Sequence, residues 1–261
     1  MKDIISKIYR TRYFWSHLAK CDLQSRFRRS KLGLLWVVLQ PFFLTIIMAI
    51  VFSTIFNEPL GDYILYILSG IVVWDVLSAG IVGGGNCLMV SEQYIRQFNH
   101  PIIIYSLRYT VLTIITFSIE IFALVFWVFI YSPINLVFGI ITFPLTCIIY
   151  FILAWALTTI AGYANTKYRD YPQVMSLVMQ ALWYVSPVFF RHEMFTRSTS
   201  LEIFVYYNPI THILNLIREP FVYGRMPSSF SYLYTILITL VIVFFAFRMN
   251  KRNAKKIIFY L

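Results

Sequence analysis

The chain has 261 residues, of which 59% are hydrophobic and 13% charged, and its net charge is +11. Soluble domains have a near-even apolar content and about a quarter of charged residues, so this composition excludes an ordinary soluble domain and indicates a membrane protein. In a soluble protein the positive charge would suggest nucleic-acid binding. Here the basic residues lie at the edges of apolar runs, which is typical of membrane topology and contact with anionic lipid headgroups.

The N-terminal segment, residues 1–31, combines basic residues with apolar residues at helical spacing, among them Trp15 and Phe27. This pattern predicts an amphipathic helix that lies in the membrane interface with these two aromatic side chains in the leaflet. A cleavable signal peptide is not predicted, because charged residues interrupt the segment and it has no short apolar core.

Six apolar runs follow, and a membrane-spanning helix needs about 20 mostly apolar residues. The predicted spans are 34–56, 63–82, 102–131, 136–164, 174–190 and 232–247. The run 102–131 is long enough to cross with a tilt, and 174–190 carries Pro187 near its end. We therefore expect an all-α membrane protein in which residues 1–261 form one transmembrane domain.

The distribution of Lys and Arg predicts the orientation of these spans. With six spans, 18 of the 22 Lys and Arg residues fall on the side that holds both termini, and four fall on the other side. Positively charged loops remain in the cytoplasm, so we expect both termini to be cytoplasmic. A five- or seven-span arrangement would place the basic C-terminal tail outside.

Two segments between the spans have helical patterns of their own. In residues 88–101, Ser91 is a candidate helix cap and Pro101 a helix end, which predicts a short cytoplasmic helix of two or three turns. A connection between two spans needs no helix, so this one suggests that a partner docks there. Residues 200–222, on the other side, contain two short amphipathic stretches split by Asn208-Pro209. They are too short and polar to span, and they predict a re-entrant helical pair.

Several enzymatic signatures are absent from the sequence. There is no G-x-x-x-x-G-K-[ST] motif, so we do not expect this chain to hydrolyse ATP through a P-loop. A nucleophile elbow, a zinc motif and a carboxylate cluster are also missing, and neither catalytic residues nor a metal site are predicted. The absence of internal repeats disfavours an ion-coupled carrier.

Two acidic residues, Asp75 and Glu120, lie inside predicted spans. A charge in the bilayer core costs at least ~2.5 kcal/mol, so such a residue normally faces protein, water or a partner. Both are candidate intramembrane polar sites. For Glu120 two interpretations remain open: a polar link to another helix, or a protonated side chain close to an interface.

Aromatic residues make up 19% of the chain, and several tryptophans and tyrosines lie within or at the ends of predicted spans. Aromatic faces stack on the C–H faces of sugars, so a pore lined by them would pass a polysaccharide without gripping it. On residue content alone, however, the aromatic belt of the membrane interface is the better interpretation. The candidate conduit residues are Trp36, Trp74, Trp183 and Tyr184.

Four stretches carry a resemblance to a known family: residues 22–36 with Gln40-Pro41, 88–101, 167–172 and 207–211. Together they are similar to the permease subunits of ABC-2 type polysaccharide exporters, which export O-antigen, capsule or teichoic acid chains. The resemblance extends from the N-terminal helix to the last span, and the first stretch, D-L-Q-S-R-F-R-R-S-K-L-G-L-L-W, is its most specific part.

The resemblance implies a homodimer that pairs with two copies of a separate ATPase, which would bind ATP and Mg; no cofactor is expected in this chain. It makes 88–101 a coupling helix seated in a cleft of the ATPase. The implied ATPase-contact residues are Glu92, Tyr94, Arg96 and Gln97.

The N-terminal helix would help to admit a polyprenyl-pyrophosphate-linked glycan, because guanidinium and ammonium groups pair well with phosphate oxygens. The residues implied for this role are Arg26, Arg28, Arg29 and Lys31. For each of them, anchoring by positive charge at the cytoplasmic face is an equal alternative. The implied residues of an external gate are Tyr207, Asn208 and Pro209.

The resemblance therefore implies the permease subunit of an ATP-driven exporter that moves a lipid-linked polysaccharide, with O-antigen as the expected cargo, across the bacterial inner membrane. Membrane lipids are expected partners and nucleic acid is not. Two alternatives remain: an ABC-2 permease for a drug or peptide, and a membrane-embedded enzyme acting on glycans or lipids. The basic N-terminal stretch disfavours the first, and the lack of acidic metal ligands or a phosphatase signature disfavours the second.

Overall fold

The computed structural model describes residues 6, 8–28, 30–191, 203, 205–254 and 256–261, without the side chains of 26 and 27. The part of the chain so described is helical and contains no β-strand, which confirms the predicted all-α class. Its helices are α1 Arg12–Phe27, α2 Leu35–Phe56, α3 Leu60–Ile81, α4 Glu92–Gln97, α5 Ile103–Tyr131, α6 Asn135–Lys167, α7 Tyr171–Val185, α8 Pro209–Phe221 and α9 Ser229–Asn253. Two short 3-10 turns are Gly83–Asn86 and Ile257–Phe259.

Five helices of the described chain are long and apolar enough to cross a membrane: α2, α3 with the turn that follows it, α5, α6 and α9. The helices α6 and α9 extend beyond the predicted spans 136–164 and 232–247 at both ends. Hydropathy marks only the apolar part of a helix, whereas backbone hydrogen bonding continues into the polar flanks. These helices therefore project past the apolar layer.

Successive spans run in opposite directions, so the bundle has two ends. We call the end that holds α1, α4 and the C-termini of α6 and α9 the basic end. The opposite end holds the α2–α3 and α5–α6 connections. Helix α3 lies at the centre and packs against α2, α5, α6 and α8. Nearly all of its side chains from Tyr63 to Leu77 are buried, with Asp75 the exception.

Helix α7 has 15 residues and ends at Val185, although the predicted span is 174–190. Its length of ~22 Å is short of the ~30 Å hydrocarbon core. The physical reason is Pro187, which lacks an N–H and disfavours the helical conformation of the residue before it. Ser186 is accordingly extended, with ψ 149°.

Residues 186–191 continue the crossing without a helix. They run beside the first half of α3, and Gly70 permits the approach, because a Cβ there would collide with the Val188 carbonyl oxygen. The segment reaches the opposite end, where Arg191 forms an ion pair with Glu58 at 3.2 Å. Besides the five long helices, the chain thus crosses the bundle once more, half as helix α7 and half as irregular backbone. We call this the sixth crossing, although α9 follows it along the chain.

Between the second and third spans, the short helix is shorter than the sequence predicts. Helix α4 has six residues within the predicted 88–101, because the Ser91 hydroxyl bonds to the Cys87 carbonyl (2.8 Å) instead of capping the helix, and Phe98 is extended. Within 1–31 the described helix is α1, and residues 1–5, 7 and 29 lie outside the described residues. Of the predicted external pair at 200–222, α8 is described in full, and residues 200–202 and 204 are not.

Candidate functional site

The short helix α4 lies at the basic end and presents polar side chains to solvent. Arg96 and Gln97 are exposed, and Glu92 is half-buried and forms an ion pair with Arg96 at 2.8 Å. Tyr94, the fourth predicted contact residue, is also half-buried, but it faces the bundle. The structure thus leaves Arg96 and Gln97 as the most accessible members of the predicted ATPase-contact set.

Helix α1 packs on the α4 segment through an aromatic cluster. The centre of the Phe14 ring lies 6.0 Å from the centre of the Tyr94 ring, 5.8 Å from that of Phe98 and 4.8 Å from that of His100. Trp15 is half-buried beside the same cluster, and its indole N–H donates to the Ile8 carbonyl at 3.2 Å. The apolar side of α1 therefore packs on protein rather than being presented wholly to the leaflet.

A buried ion pair joins α1 to α5. Asp22 accepts two hydrogen bonds of 2.5 Å from the Arg108 guanidinium, from Nε and from Nη2. The same guanidinium lies 3.5 Å from the Ser91 hydroxyl and 5.7 Å from the centre of the Tyr94 ring. Arg108 is 7% exposed. One cation thus connects α1, α5 and the start of α4, so these three elements form a single packed unit at the basic end.

The two intramembrane acids, Asp75 and Glu120, line the same cavity. It has a volume of about 550 Å³ and lies between α2, α3 and α5. Its other polar lining residues are Gln40, Ser78, Tyr109, Thr113 and Thr116. Among the described residues of its wall there is no Lys or Arg, so the cavity offers carboxyl, amide and hydroxyl groups, which suit a ligand rich in hydroxyls.

Three of the four predicted conduit aromatics lie together. Trp74 and Trp183 meet edge to face with their ring centres 5.1 Å apart, and with Tyr184 they line a cavity of about 290 Å³ between α3 and α7. This cavity shares Ser78 with the acidic one, so an aromatic wall and a polar wall meet along α3. Trp36 is exposed on α2 and lines neither cavity.

The predicted gate residues surround the start of α8. The Asn208 side chain caps the helix by accepting from the Ile210 N–H at 3.0 Å, and its amide donates to the Ser186 hydroxyl at 3.0 Å. Pro209 occupies the first turn, as is common at a helix start. Tyr207 is exposed, and its carbonyl accepts from the Tyr234 hydroxyl at 2.8 Å. Asn208 therefore ties α8 to the point where α7 ends.

The Arg218 side chain donates hydrogen bonds to the backbone carbonyl groups in the irregular half of the sixth crossing. This residue of α8 is 2% exposed, and its guanidinium donates to the carbonyl oxygens of Pro187 and Val188. It also lies over the Tyr66 ring, 3.8 Å from its centre. Irregular backbone at membrane depth requires such partners, because lipid supplies none.

Tyrosine hydroxyls on α3 complete this arrangement. Tyr66 donates to the Phe190 carbonyl at 2.7 Å, and Tyr63 donates to the Phe189 carbonyl at 2.8 Å. Four successive carbonyl groups, from residue 187 to residue 190, are thus hydrogen-bonded by side chains of α3 and α8. The break in the crossing is therefore held rigidly against the centre of the bundle.

His212 of α8 is buried and hydrogen-bonded on both ring nitrogens. Nε2 lies 2.9 Å from the Tyr206 carbonyl, which only accepts, so Nε2 carries the proton. Nδ1 lies 3.3 Å from the Ser231 hydroxyl. Burial lowers the pKa of His212, and the bond to the Tyr206 carbonyl opposes this shift. The ring is therefore neutral at pH 7 and fastens α8 to the start of α9.

The predicted headgroup residues are described only in part. Arg28 and Lys31 are exposed just beyond α1, whereas Arg29 and the side chain of Arg26 lie outside the described residues. Arg108 and Arg218 were not among the predicted site residues, because the count of Lys and Arg treated both as ordinary loop charges. The sequence signal for Arg108 was Asp22, an acidic residue within a basic stretch. The signal for Arg218 was the helical spacing that puts it on the same face as Leu214 and Phe221.

Comparisons with known proteins place this chain in a family. The model of the family described as ABC-2 type transporter matches residues 13–222, from α1 to the end of α8. A protein of Klebsiella pneumoniae named O-antigen export system permease protein RfbA is 22% identical over 223 residues, which cover 85% of each chain. A protein of the same name from Myxococcus xanthus is 18% identical over 229 residues, which cover 88% of each chain. The family match confirms the resemblance to ABC-2 permeases.

Proposed function

This chain belongs to the ABC-2 type transporter family, and on that basis we propose that it exports O-antigen, as a polyprenyl-pyrophosphate-linked chain, across the bacterial inner membrane. As a permease subunit it works with a separate ATPase. We propose that it does so as a homodimer with two ATPase copies, which supply the bound ATP and Mg. The names of its relatives support O-antigen as the cargo.

The observation that carries this proposal is the pair of adjoining cavities along α3. Trp74, Trp183 and Tyr184 provide aromatic faces, and Asp75 and Glu120 provide carboxyl groups in the neighbouring wall. A sugar has apolar C–H faces and polar hydroxyl edges, so a surface of this composition contacts both without requiring one monosaccharide. A second protomer facing this surface would enclose a conduit for the polymer.

In this arrangement the basic end faces the cytoplasm and α4 docks on the ATPase. Closure of the ATPase pair on ATP would displace α4, and the Asp22–Arg108 pair would transmit the displacement to α1 and α5 as a rigid body. Arg28 and Lys31, exposed beyond α1, are suited to the pyrophosphate of the incoming lipid. Helix α8 with Tyr207 and Asn208 would form the external gate.

The docking of α4 is tested by a double substitution, Arg96→Ala with Gln97→Ala. Both side chains are exposed, so the purified protein is expected to keep its melting temperature. Truncation of central interface residues costs ~2 kcal/mol or more, so affinity for the ATPase should fall at least about tenfold, and stimulation of ATP hydrolysis should fall with it. Binding is measured by co-purification and titration.

The matched control is Lys251→Ala, an exposed cation at the same end of the bundle but on α9. It should bind the ATPase like the unaltered protein. If the double variant binds and stimulates the ATPase normally, α4 is not the docking element.

A further inference from the structure

We propose that the basic end contains a binding pocket for the phosphodiester headgroup of an anionic phospholipid, formed by the C-terminal ends of α6 and α9 and the turn 256–260. The pocket has a volume of about 450 Å³. None of its lining residues belongs to α1, to α4 or to the cavities along α3, so it lies outside the transport path proposed above. Its ligand is a lipid of the surrounding bilayer rather than the exported chain.

Four cationic side chains surround this pocket: Lys167 of α6, Arg248 and Arg252 of α9, and Lys256. All four residues are exposed, and among the described residues none of the four forms an ion pair with a carboxylate. The described lining includes no Asp or Glu. Four like charges around one opening repel one another, so an anion between them stabilises all four. Guanidinium groups also match phosphate oxygens geometrically.

The walls of the pocket are held by ordered contacts. The Tyr163 hydroxyl donates to the Asn250 side-chain oxygen at 2.8 Å, which joins α6 to α9 beneath the cations. Arg169 donates to the Tyr260 carbonyl at 2.9 Å, and Ile257 is 1% exposed in a cluster with the α4 segment. The C-terminal turn is therefore a fixed wall, and Lys256 is positioned by it.

The chemistry of the surface next to the pocket selects a lipid over a soluble anion. Phe245 lines the pocket, and the exposed surface of α9 continues from it as a row of large apolar side chains. These are Leu237, Leu240, Val241 and Phe244. A lipid whose phosphate lies among the four cations would lay its acyl chains along this row. A basic pocket between transmembrane helices at the membrane face is a known form of anionic-lipid site.

The test uses the purified full-length protein and the double substitution Arg248→Gln with Arg252→Gln. Binding of phosphatidylglycerol, with phosphatidylcholine as the uncharged reference, is measured by native mass spectrometry. Each basic residue near an anionic lipid contributes to the binding free energy, so the loss of two should weaken phosphatidylglycerol binding about tenfold or more. Phosphatidylcholine binding should not change. Lys251→Gln is the control, because it removes the same charge from the same helix outside the pocket.

The proposal is overturned if Lys251→Gln weakens binding as much as the double variant, since the effect would then be general charge. It is also overturned if inorganic pyrophosphate displaces phosphatidylglycerol at equal concentration, which would indicate a soluble-anion site. Tighter binding of a polyprenyl pyrophosphate would assign the pocket to the donor lipid instead. If the double variant fails to fold, the single substitution Arg252→Gln decides: a larger loss of phosphatidylglycerol binding than in Lys251→Gln supports the proposal, and an equal loss contradicts it.

Discussion

Replacing Arg218 with leucine is expected to destabilise the protein far more than the loss of an exposed ion pair would. The change leaves the Val188 carbonyl oxygen buried without its donor, and the Pro187 carbonyl keeps only a hydrogen bond of 3.2 Å from the Tyr66 hydroxyl. A buried group without a partner costs ~1–3 kcal/mol, and the weaker bonding of Pro187 adds to that loss. The melting temperature in detergent should fall by several degrees or more, and limited proteolysis should cut first at residues 186–191.

Two companion variants separate this effect from loss of charge. Arg225→Leu removes a guanidinium that is mostly exposed and 3.8 Å from Glu219, and it should change stability by less than ~1 kcal/mol. Arg218→Lys keeps the charge, but a single ammonium cannot reproduce the fork that reaches two carbonyls, so an intermediate loss is expected. A melting temperature of Arg218→Leu equal to that of the unaltered protein would show that the break in the sixth crossing is held by other contacts.

The second large effect is expected on breaking the Asp22–Arg108 pair. Removing one partner of a buried ion pair costs ~3–5 kcal/mol. Arg108→Met should cost somewhat less, because the Asp22 side chain remains 30% exposed and water would solvate its carboxylate. Helix α1 should then detach from α5, so that proteases cut within α1 faster. Export per ATP hydrolysed should also fall, because α1 and α5 would no longer move together when α4 is displaced.

The control for this prediction is the exposed pair formed by Glu92 and Arg96. Glu92→Gln should change stability by ~0.5 kcal/mol or less, as is typical of a surface pair at helical spacing. Exchanging the buried partners, Asp22→Arg with Arg108→Asp, should recover part of the lost protease resistance. Equal proteolysis of α1 in Arg108→Met and Glu92→Gln would rule out a special role for the buried pair.

The spans were largely predictable because apolar runs end at recognisable breaks. Helices α2 and α5 agree with the predicted 34–56 and 102–131 to within one residue at each end, since Asn57-Glu58-Pro59 and Ser132-Pro133 stop them. The end of α7 was not predictable from hydropathy, because the apolar residues Val188 to Phe190 continue the run after the helix has ended. Hydropathy registers apolar character and not helix formation: Val188 and Phe189 are buried and Phe190 is half-buried, and none of them is helical.

The composition of the site was predictable, but its connections were not. Asp75 and Glu120 stand out in the sequence as acids within spans, yet only the packing of α2, α3 and α5 puts them in one cavity. Arg108 and Arg218 lie near the ends of helices, where a count of charges assigns them to loops. Their burial depends on Asp22 and on the carbonyls of residues 187–188, which are more than 25 residues away along the chain.

The central claim is that this chain forms the membrane path of an exporter driven by a separate ATPase. Its most direct test is export of a polyprenyl-pyrophosphate-linked O-antigen in proteoliposomes that contain the purified chain with or without that ATPase. The account predicts movement of the glycan only when the ATPase and hydrolysable ATP are both present, with loss of movement in the Arg96→Ala, Gln97→Ala variant. Export by the chain alone, or ATP hydrolysis by the complex without any movement of the glycan, would contradict it.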